Sequence, residues 1–264
     1  MRPPEHSPLQ TPLQLDATGS RPINSADCAW PEVSGPALVL LPVGSTEQHG
    51  PHLPLHTDTT IAEAVAHGVA ARCTGQDQPV FVAPPLAYGA SGEHQGFAGT
   101  MSIGHEALRL VLVELVRSVS LWAERIVIVS GHGGNVPMLA DALPRLANEQ
   151  HDVSWVPCTT GTDDAHAGHT ETSLMLHLAP NLVDMLRAVA GNTTPVEHLM
   201  PRLMEVGIVG VSRSGVLGDP REASAALGKQ MFDQIVHDVH SRISHGHVDR
   251  DRCLQRPRIA GWTR

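Results

Sequence analysis

The strongest constraint on the fold is a repeated pattern in which a short, uninterrupted apolar run ends directly in a polar loop. The first run, ALVLLPV over residues 37–43, is followed by GSTEQHG. Continuous apolar runs of this length are typical of strands that are buried on both faces. Runs of the same kind at 80–83, 126–129 and 153–156 therefore predict the other strands of one sheet.

The segments between and after these runs have apolar residues at helical spacing. The spacing predicts helices over 59–73, 104–123, 136–150, 168–179 and 222–244. Asp58 or Thr59 is expected to be the N-cap of the first helix. Strands that alternate with helices predict an α/β fold, in which a mostly parallel sheet is flanked by helices. Sites in such folds lie at the carboxyl ends of the strands, where this chain has its polar clusters.

Length and composition favour one large catalytic domain. The chain has 264 residues, of which 41% are hydrophobic and 17% charged, and these values are typical of one globular domain. Residues 1–35 are rich in Pro, Ser and Thr, which predicts a mobile N-terminal segment. We expect the catalytic domain to span 36–247 and a basic, frayed C-terminal tail to occupy 248–264.

Charge and hydropathy exclude several classes of partner. The net charge of −9, without a Lys/Arg run, argues against nucleic acid. No run approaches the roughly 20 apolar residues that span a bilayer, and the N-terminus lacks the apolar core of a secretory signal. The four cysteines form no CxxC pair and are predicted to be unpaired thiols in a reducing compartment. These features predict a cytoplasmic protein without a membrane partner.

The first polar loop, residues 44–58, carries candidate metal ligands. Glu47 and His49 are two residues apart, so an extended backbone directs both side chains the same way. Asp58 follows at the start of the first predicted helix. Carboxylates and imidazoles without thiolates suit zinc, manganese or iron, and one carboxylate can bridge two such ions. Polar loops often contain Glu and His without a metal, so this loop alone leaves both interpretations open.

Two further clusters end the third and fourth predicted strands. His132 lies in GHGGN, whose glycines allow close backbone approach. The alternative is a phosphate-binding loop, but the Lys-Ser/Thr of such loops is missing. His166 and Glu171 flank the start of the next helix, where a lone glutamate is more often a cap or a surface carboxylate. Together the three clusters supply the ligand count of a two-metal site.

In combination these motifs resemble the creatininase family of amidohydrolases. VGSTEQHGPHLPLHTD over 43–58 resembles the family's E-x-H-x8-D signature, and EHQGFAGT over 93–100 resembles its E-H-x-x-F-x-G-T loop. GHGGN over 131–135 and HAGHTETS over 166–173 complete the set. The resemblance implies a creatininase-like three-layer sandwich, hydrolysis of a C–N amide bond, and a homo-oligomer that is expected to be a hexamer.

The resemblance also implies two divalent metal ions, which we expect to be Fe2+ or Zn2+, with Mn2+ as an alternative. The implied ligands are Glu47, His49, Asp58, His132 and Glu171, with Asp58 bridging. Creatininase has a glutamate two residues after the histidine of GHGGN, where this chain has Gly134. Glu171 is therefore expected to be the fifth ligand. The replacement of this glutamate by Gly134 also argues against creatinine as the substrate.

Several side chains are candidates for the remaining chemistry. His166 is the first candidate for protonating the leaving nitrogen, and Glu93 or His94 is the second. A loop-packing role is the alternative for His166. His52 and His56 are expected to shape the loop without binding metal. The sequence leaves open whether three arginines receive a peptide carboxylate or are surface charges: Arg125, Arg202 and Arg213.

Finer features resemble one branch of the family, which acts in the mycofactocin system. The stretches HAGHTETS over 166–173, AGNTTP over 190–195 and GVLGDP over 215–220 carry this likeness, and His169 stands where many relatives have Glu. The likeness implies a peptidase that releases the modified C-terminal Val-Tyr unit of a ribosomal precursor peptide during redox-cofactor biosynthesis. The alternatives are hydrolysis of a small cyclic amide or formamide, a non-catalytic metal-binding scaffold, and a nucleotide-binding module.

Overall fold

The computed structural model describes residues 23–33, 36–73, 78–161 and 164–257. The strands in these ranges are β1 (Ile23–Asn24), β2 (Ala37–Val43), β3 (Val80–Val82), β4 (Ala123–Ser130), β5 (Val153–Pro157), β6 (His247–Val248) and β7 (Leu254–Gln255). The α-helices are α1 (Thr57–Arg72), α2 (Gly104–Val119), α3 (Val136–Asn148), α4 (His169–Leu178), α5 (Val196–Val206) and α6 (Ala225–His245).

The main sheet has the strand order β1-β3-β2-β4-β5, and every neighbouring pair is parallel. Val43 at the end of β2 lies opposite Ser130 at the end of β4, and Ser130 lies opposite Pro157 at the end of β5. The three strands therefore end level with one another, so the loops that follow them meet at one edge. The predicted parallel α/β sheet is confirmed.

Helices cover both faces of this sheet. On one face α1, α4 and α6 pack against residues that include Leu38, Leu40 and Val127. On the other face α2 and α3 pack against residues that include Leu41 and Ile126. Alternate residues of one strand thus enter different cores, which explains why the runs are apolar at every position. The arrangement is the predicted three-layer sandwich.

The first helix begins earlier than predicted. α1 starts at Thr57 with His56 at the N-cap position, and no side chain caps it. The carboxylate of Asp58 instead accepts a hydrogen bond from Ser45 Oγ at 2.7 Å. Thr59 Oγ1 donates to the Ser45 carbonyl at 3.1 Å. The prediction that Asp58 or Thr59 caps the helix is wrong because tertiary partners take both side chains.

The second helix is shorter than the predicted range of 104–123. α2 ends at Val119, and after a turn the chain enters β4 at Ala123. The apolar spacing continues through Trp122, but this side chain packs edge-on against Phe81 of β3, with ring centroids 6.2 Å apart. Contact with the sheet therefore accounts for the apolar residue that extended the predicted helix.

Some elements have no counterpart in the sequence prediction. β1 pairs with β3 inside the segment that we expected to be mobile; residues 1–22 and 34–35 of that segment lie outside the described residues. The predicted tail overlaps the β6–β7 hairpin, in which Leu254 is 1% exposed, so this part is packed, not frayed; residues 258–264 lie outside the described residues. α5 contains Pro201, which obscures its helical pattern.

Two further predictions concern thiols and membranes. All four cysteines are free, as predicted. None of the helices in the described ranges combines the length and the apolar composition that a bilayer crossing needs.

Candidate metal centre

The loops at one edge of the sheet bring all five candidate ligands together. Glu47 and His49 follow β2, Asp58 lies in the first turn of α1, His132 follows β4, and Glu171 lies in the first turn of α4. The first four side chains are almost fully buried. The Glu171 side chain is 22% exposed. Residues that are more than a hundred positions apart in the chain thus share one small volume.

Among the described residues, the five candidate ligands form two overlapping groups, and a third possible group joins Glu47 and His49 to His166. One consists of Glu47, Asp58 and His132, and the other of His49, Asp58 and Glu171; within each group the atoms lie within 4.8 Å of one another. Asp58 Oδ1 is 2.9 Å from His49 Nε2, whereas Oδ2 is 3.2 Å from His132 Nδ1. Because its two oxygens face different groups, Asp58 is placed as a bridging ligand would be.

The environment of Glu47 fits a bound cation. Its side chain is fully buried, and neither carboxylate oxygen has a hydrogen-bond partner. The nitrogens His94 Nε2 and His132 Nε2 lie 3.1 Å and 3.2 Å from these oxygens. A buried, ionised carboxylate without adequate partners costs several kcal/mol. A divalent metal would remove this cost, and the carboxylate and imidazole donors suit Zn2+, Mn2+ or Fe2+.

Hydrogen bonds with backbone groups and with Ser45 orient the ligands. His49 Nδ1 donates to the Glu47 carbonyl at 3.2 Å, which leaves Nε2 directed at Asp58. The Ala167 amide donates to Glu171 Oε2 at 2.6 Å. Asp58 accepts from Ser45, as described above. Such contacts fix the rotamer and the tautomer of metal ligands.

The candidates for proton transfer lie beside the ligands. His166 Nδ1 is 3.8 Å from Glu47 Oε1, and the His166 ring lies 4.3 Å from that of His49. Glu93 Oε1 is 3.7 Å from His132 Nε2, and the Glu93 side chain is 33% exposed. His166 therefore lies inside the centre, whereas Glu93 lies at its solvent-facing rim.

The surroundings of Gly134 leave little space for a side chain. A Cβ atom at this glycine would lie 2.7 Å from Glu93 Oε1, 2.5 Å from the Ala90 carbonyl oxygen and 2.4 Å from His132 Nε2. No side chain fits at Gly134 without displacing the backbone or the candidate ligand. The loop that carries Glu93 thus occupies the space beside His132.

The two loop histidines are placed differently from each other. His52 is buried, and its Nε2 lies 2.8 Å from Thr172 Oγ1 of α4. His56 is exposed at the start of α1. Neither belongs to a candidate metal-binding group among the described residues.

The arginines that the sequence left open lie in ordinary structural surroundings. Arg125 donates to the Ile243 carbonyl at 3.0 Å and so joins β4 to α6. Arg202 pairs with Glu205 at 3.5 Å on the exposed face of α5. Arg213 is exposed. The structure therefore gives no support to Arg125 or Arg202 as a receptor for a peptide carboxylate.

Sequence reasoning missed Gln48, which is 5% exposed. An extended backbone directs this side chain away from Glu47 and His49, so the pattern assigned it no role. In the structure its Nε2 lies 3.0 Å from both His94 Nδ1 and His166 Nε2. In the sequence, the only sign that Gln48 has a role was its position between the candidate ligands Glu47 and His49.

Metal uptake is expected to release protons. Although burial opposes it, the Asp58 carboxylate raises the pKa of His49 to about 10. Burial raises the pKa of Glu47 to about 7. At neutral pH His49 therefore carries an additional proton and Glu47 is partly protonated. Both groups must lose these protons to bind a cation, and raising the pH removes this competition. The affinity for Zn2+ should rise from about pH 6 to about pH 10.

Calorimetry of metal-free protein, in buffers with different ionisation enthalpies, measures this proton release directly. We expect the apparent binding heat to change with the buffer. A heat independent of the buffer, together with an affinity independent of pH, would contradict the prediction.

Comparison with known proteins gives consistent matches. The family model described as creatinine amidohydrolase matches residues 26–243. The mycofactocin precursor peptide peptidase of Mycolicibacterium smegmatis is 54% identical over 218 residues, which are 82% of this chain and 88% of that protein.

Solved structures agree with the sequence matches. A structure of the Mn form of creatininase has a TM-score of 0.70 at 27% identity, covering 84% of this chain and 98% of that one. A Zn-Zn form of a creatininase variant has a TM-score of 0.69 at 27% identity, covering 85% and 98%. The fold is a parallel three-layer sandwich, and the family model spans most of the chain. Because the solved structures agree with both, the chain belongs to the creatininase family.

Proposed function

We propose that this chain is a metal-dependent peptidase that cleaves the amide bond before the modified C-terminal Val-Tyr unit of the mycofactocin precursor peptide. The observation that carries the proposal is Asp58, shared between two groups of buried ligands at the edge of the sheet. The name of the Mycolicibacterium smegmatis relative supports a precursor peptide as the substrate, and the Val-Tyr unit is what the resemblance of the sequence motifs implies. Bound divalent metals supply an acidified water and polarisation of the scissile carbonyl.

His166 is the residue we assign to proton transfer. Burial, together with nearby His49, holds the pKa of His166 well below its usual range. The imidazole is therefore neutral before the reaction. It must first take a proton from the attacking water before it can protonate the leaving nitrogen. His166 thus acts as a base and then as an acid, and Glu93 at the rim is placed to contact the incoming peptide.

The centre does not distinguish among Fe2+, Zn2+ and Mn2+ by its donor atoms, because all three accept carboxylate and imidazole ligands. We propose that two such ions bind per chain. Elemental analysis of protein purified without added metal gives both the identity and the stoichiometry.

The function is tested by incubating the metal-loaded protein with the modified precursor peptide and following the products by mass spectrometry. We expect release of the C-terminal unit and a shortened peptide, and the masses of these two products should add up to the mass of the substrate plus one water. The unmodified precursor peptide, creatinine and a formamide are the comparison substrates, and each should be turned over far more slowly.

Each outcome identifies a different error. Turnover of the cyclic amide or the formamide, but not of the peptide, would assign the chain to the small-amide branch. Metal binding without turnover of any substrate would favour a non-catalytic scaffold.

A further inference from the structure

The orientation of the Gln48 side-chain amide is determined by two backbone groups. Its Oε1 accepts a hydrogen bond from the Gly50 amide at 2.9 Å, and its Nε2 donates to the Gly215 carbonyl at 3.1 Å. A flipped amide would place an NH2 group against an N–H and a carbonyl oxygen against a carbonyl oxygen. Only one assignment of the oxygen and the nitrogen therefore satisfies both neighbours.

The hydrogens around Gln48 can be counted. Its Nε2 carries two hydrogens, and besides Gly215 O it lies 3.0 Å from His94 Nδ1 and 3.0 Å from His166 Nε2. His166 Nε2 is also 2.7 Å from the Gln48 backbone carbonyl. A carbonyl only accepts, so His166 Nε2 bears a hydrogen and cannot accept one. The two amide hydrogens thus go to Gly215 O and to His94 Nδ1.

This count determines which ring nitrogen of each neutral histidine faces the ligands. His94 accepts at Nδ1, so its Nε2 carries the hydrogen and lies 3.1 Å from Glu47 Oε1. A ring nitrogen that carries a hydrogen cannot bind a metal, so His94 Nε2 differs from the candidate ligands beside it. His166 donates at Nε2, so its Nδ1 carries a lone pair toward Glu47 Oε1, 3.8 Å away.

We infer that Gln48 is a positioning residue that fixes the tautomers of both histidines: its side chain holds His94 as the Nε2–H form, and its backbone carbonyl holds His166 as the Nε2–H form. His94 then lies beside the Glu47 carboxylate without competing for metal. The lone pair at His166 Nδ1 becomes the group that takes the proton; this last consequence rests on the proposed function.

Gly215 leaves space for the side-chain amide of Gln48. Gly215 has a φ of +80°, and a Cβ atom there would lie 1.8 Å from Gln48 Oε1. Both the backbone conformation at Gly215 and the nearby Gln48 amide therefore favour glycine at this position.

The inference is tested by the ring 15N chemical shifts of the histidines, in metal-free and in zinc-loaded protein. The signals are assigned from their loss in His94→Asn and His166→Asn variants. In the wild type we expect both residues as pure Nε2–H tautomers. Detection of His94 as the Nδ1–H tautomer in the wild type would overturn the inference without any variant.

Two near-isosteric variants separate the side chain from the backbone. In Gln48→Met the donor to His94 is lost, so His94 should become a mixture of tautomers while His166 is unchanged. In Gln48→Glu an acceptor replaces the donor, so Nδ1 of His94 should become protonated. We expect kcat to fall by about 10- to 100-fold with little change in KM, as for other groups that orient metal ligands.

Gln95→Met is the matched control, because Gln95 is exposed on the same loop as His94, and its spectrum and kinetics should equal those of the wild type. An unchanged His94 tautomer in Gln48→Met would overturn the inference. The spectra do not depend on the substrate. If the tautomers are as assigned but His166→Ala retains full turnover, the catalytic role of His166 fails and the assignment to Gln48 stands.

Discussion

Replacing Asp58 by Asn is expected to abolish metal binding and to lower peptide hydrolysis by about three orders of magnitude or more. Asparagine keeps the size of the side chain but replaces one oxygen and the negative charge with an NH2 group. Because each oxygen of Asp58 faces a different ligand group, the change weakens both. Loss of an outer-shell contact alone costs about 10- to 100-fold in metal affinity or activity, and this residue is shared by both groups.

The measurement combines elemental analysis, which gives metal ions per chain, with the turnover number on the modified peptide. Asp233→Asn is the control, because this carboxylate pairs with Lys229 on the exposed face of α6 and its side chain is 52% exposed. The control should keep full metal content and activity. If Asp58→Asn also keeps both, the metal centre proposed for this chain is wrong.

Replacing His166 by Ala is expected to lower kcat by about 10²- to 10⁴-fold with both metals retained, the range typical of a general acid–base group. The physical reason is the loss of the lone pair at Nδ1, which lies beside Glu47 at the centre. The metals should remain because the other ligands of each group are unchanged.

Metal content and kcat, measured on the same preparation, separate the possible roles of His166. His105→Ala is the control, since His105 is exposed on α2 and belongs to none of the candidate metal-binding groups of the described residues. Unchanged turnover would remove His166 from the mechanism. Loss of one metal would instead make it a ligand in the third possible group, with Glu47 and His49.

Much of the fold could be predicted because the buried strands are short, continuous apolar runs in the sequence. The run over 37–43 is apolar at every position, and the structure places it as β2 at the centre of the sheet with both faces covered. The helix bounds were less accurate. The α2 boundary depends on Trp122, whose apolar side chain packs on Phe81 from another strand, and no spacing rule contains that contact.

The residues of the candidate site also differ in how far the sequence alone predicted them. Glu47, His49 and Asp58 lie close together in the sequence, so their residue types and spacing already indicated metal chemistry. His132 and Glu171 were linked to them through the expectation that parallel strands end at one edge of the sheet, and through family resemblance. The structure places all five at that edge.

The sequence by itself determined the parallel α/β fold, the family and a set of candidate ligands, because buried strands and motif loops are local patterns. Only the tertiary structure decided how those ligands are held. Gln48 contacts His94 across 46 positions and His166 across 118, and Glu93 takes the space beside Gly134. The hydrogen that each ring nitrogen carries depends on partners brought together by folding, so local sequence does not encode it.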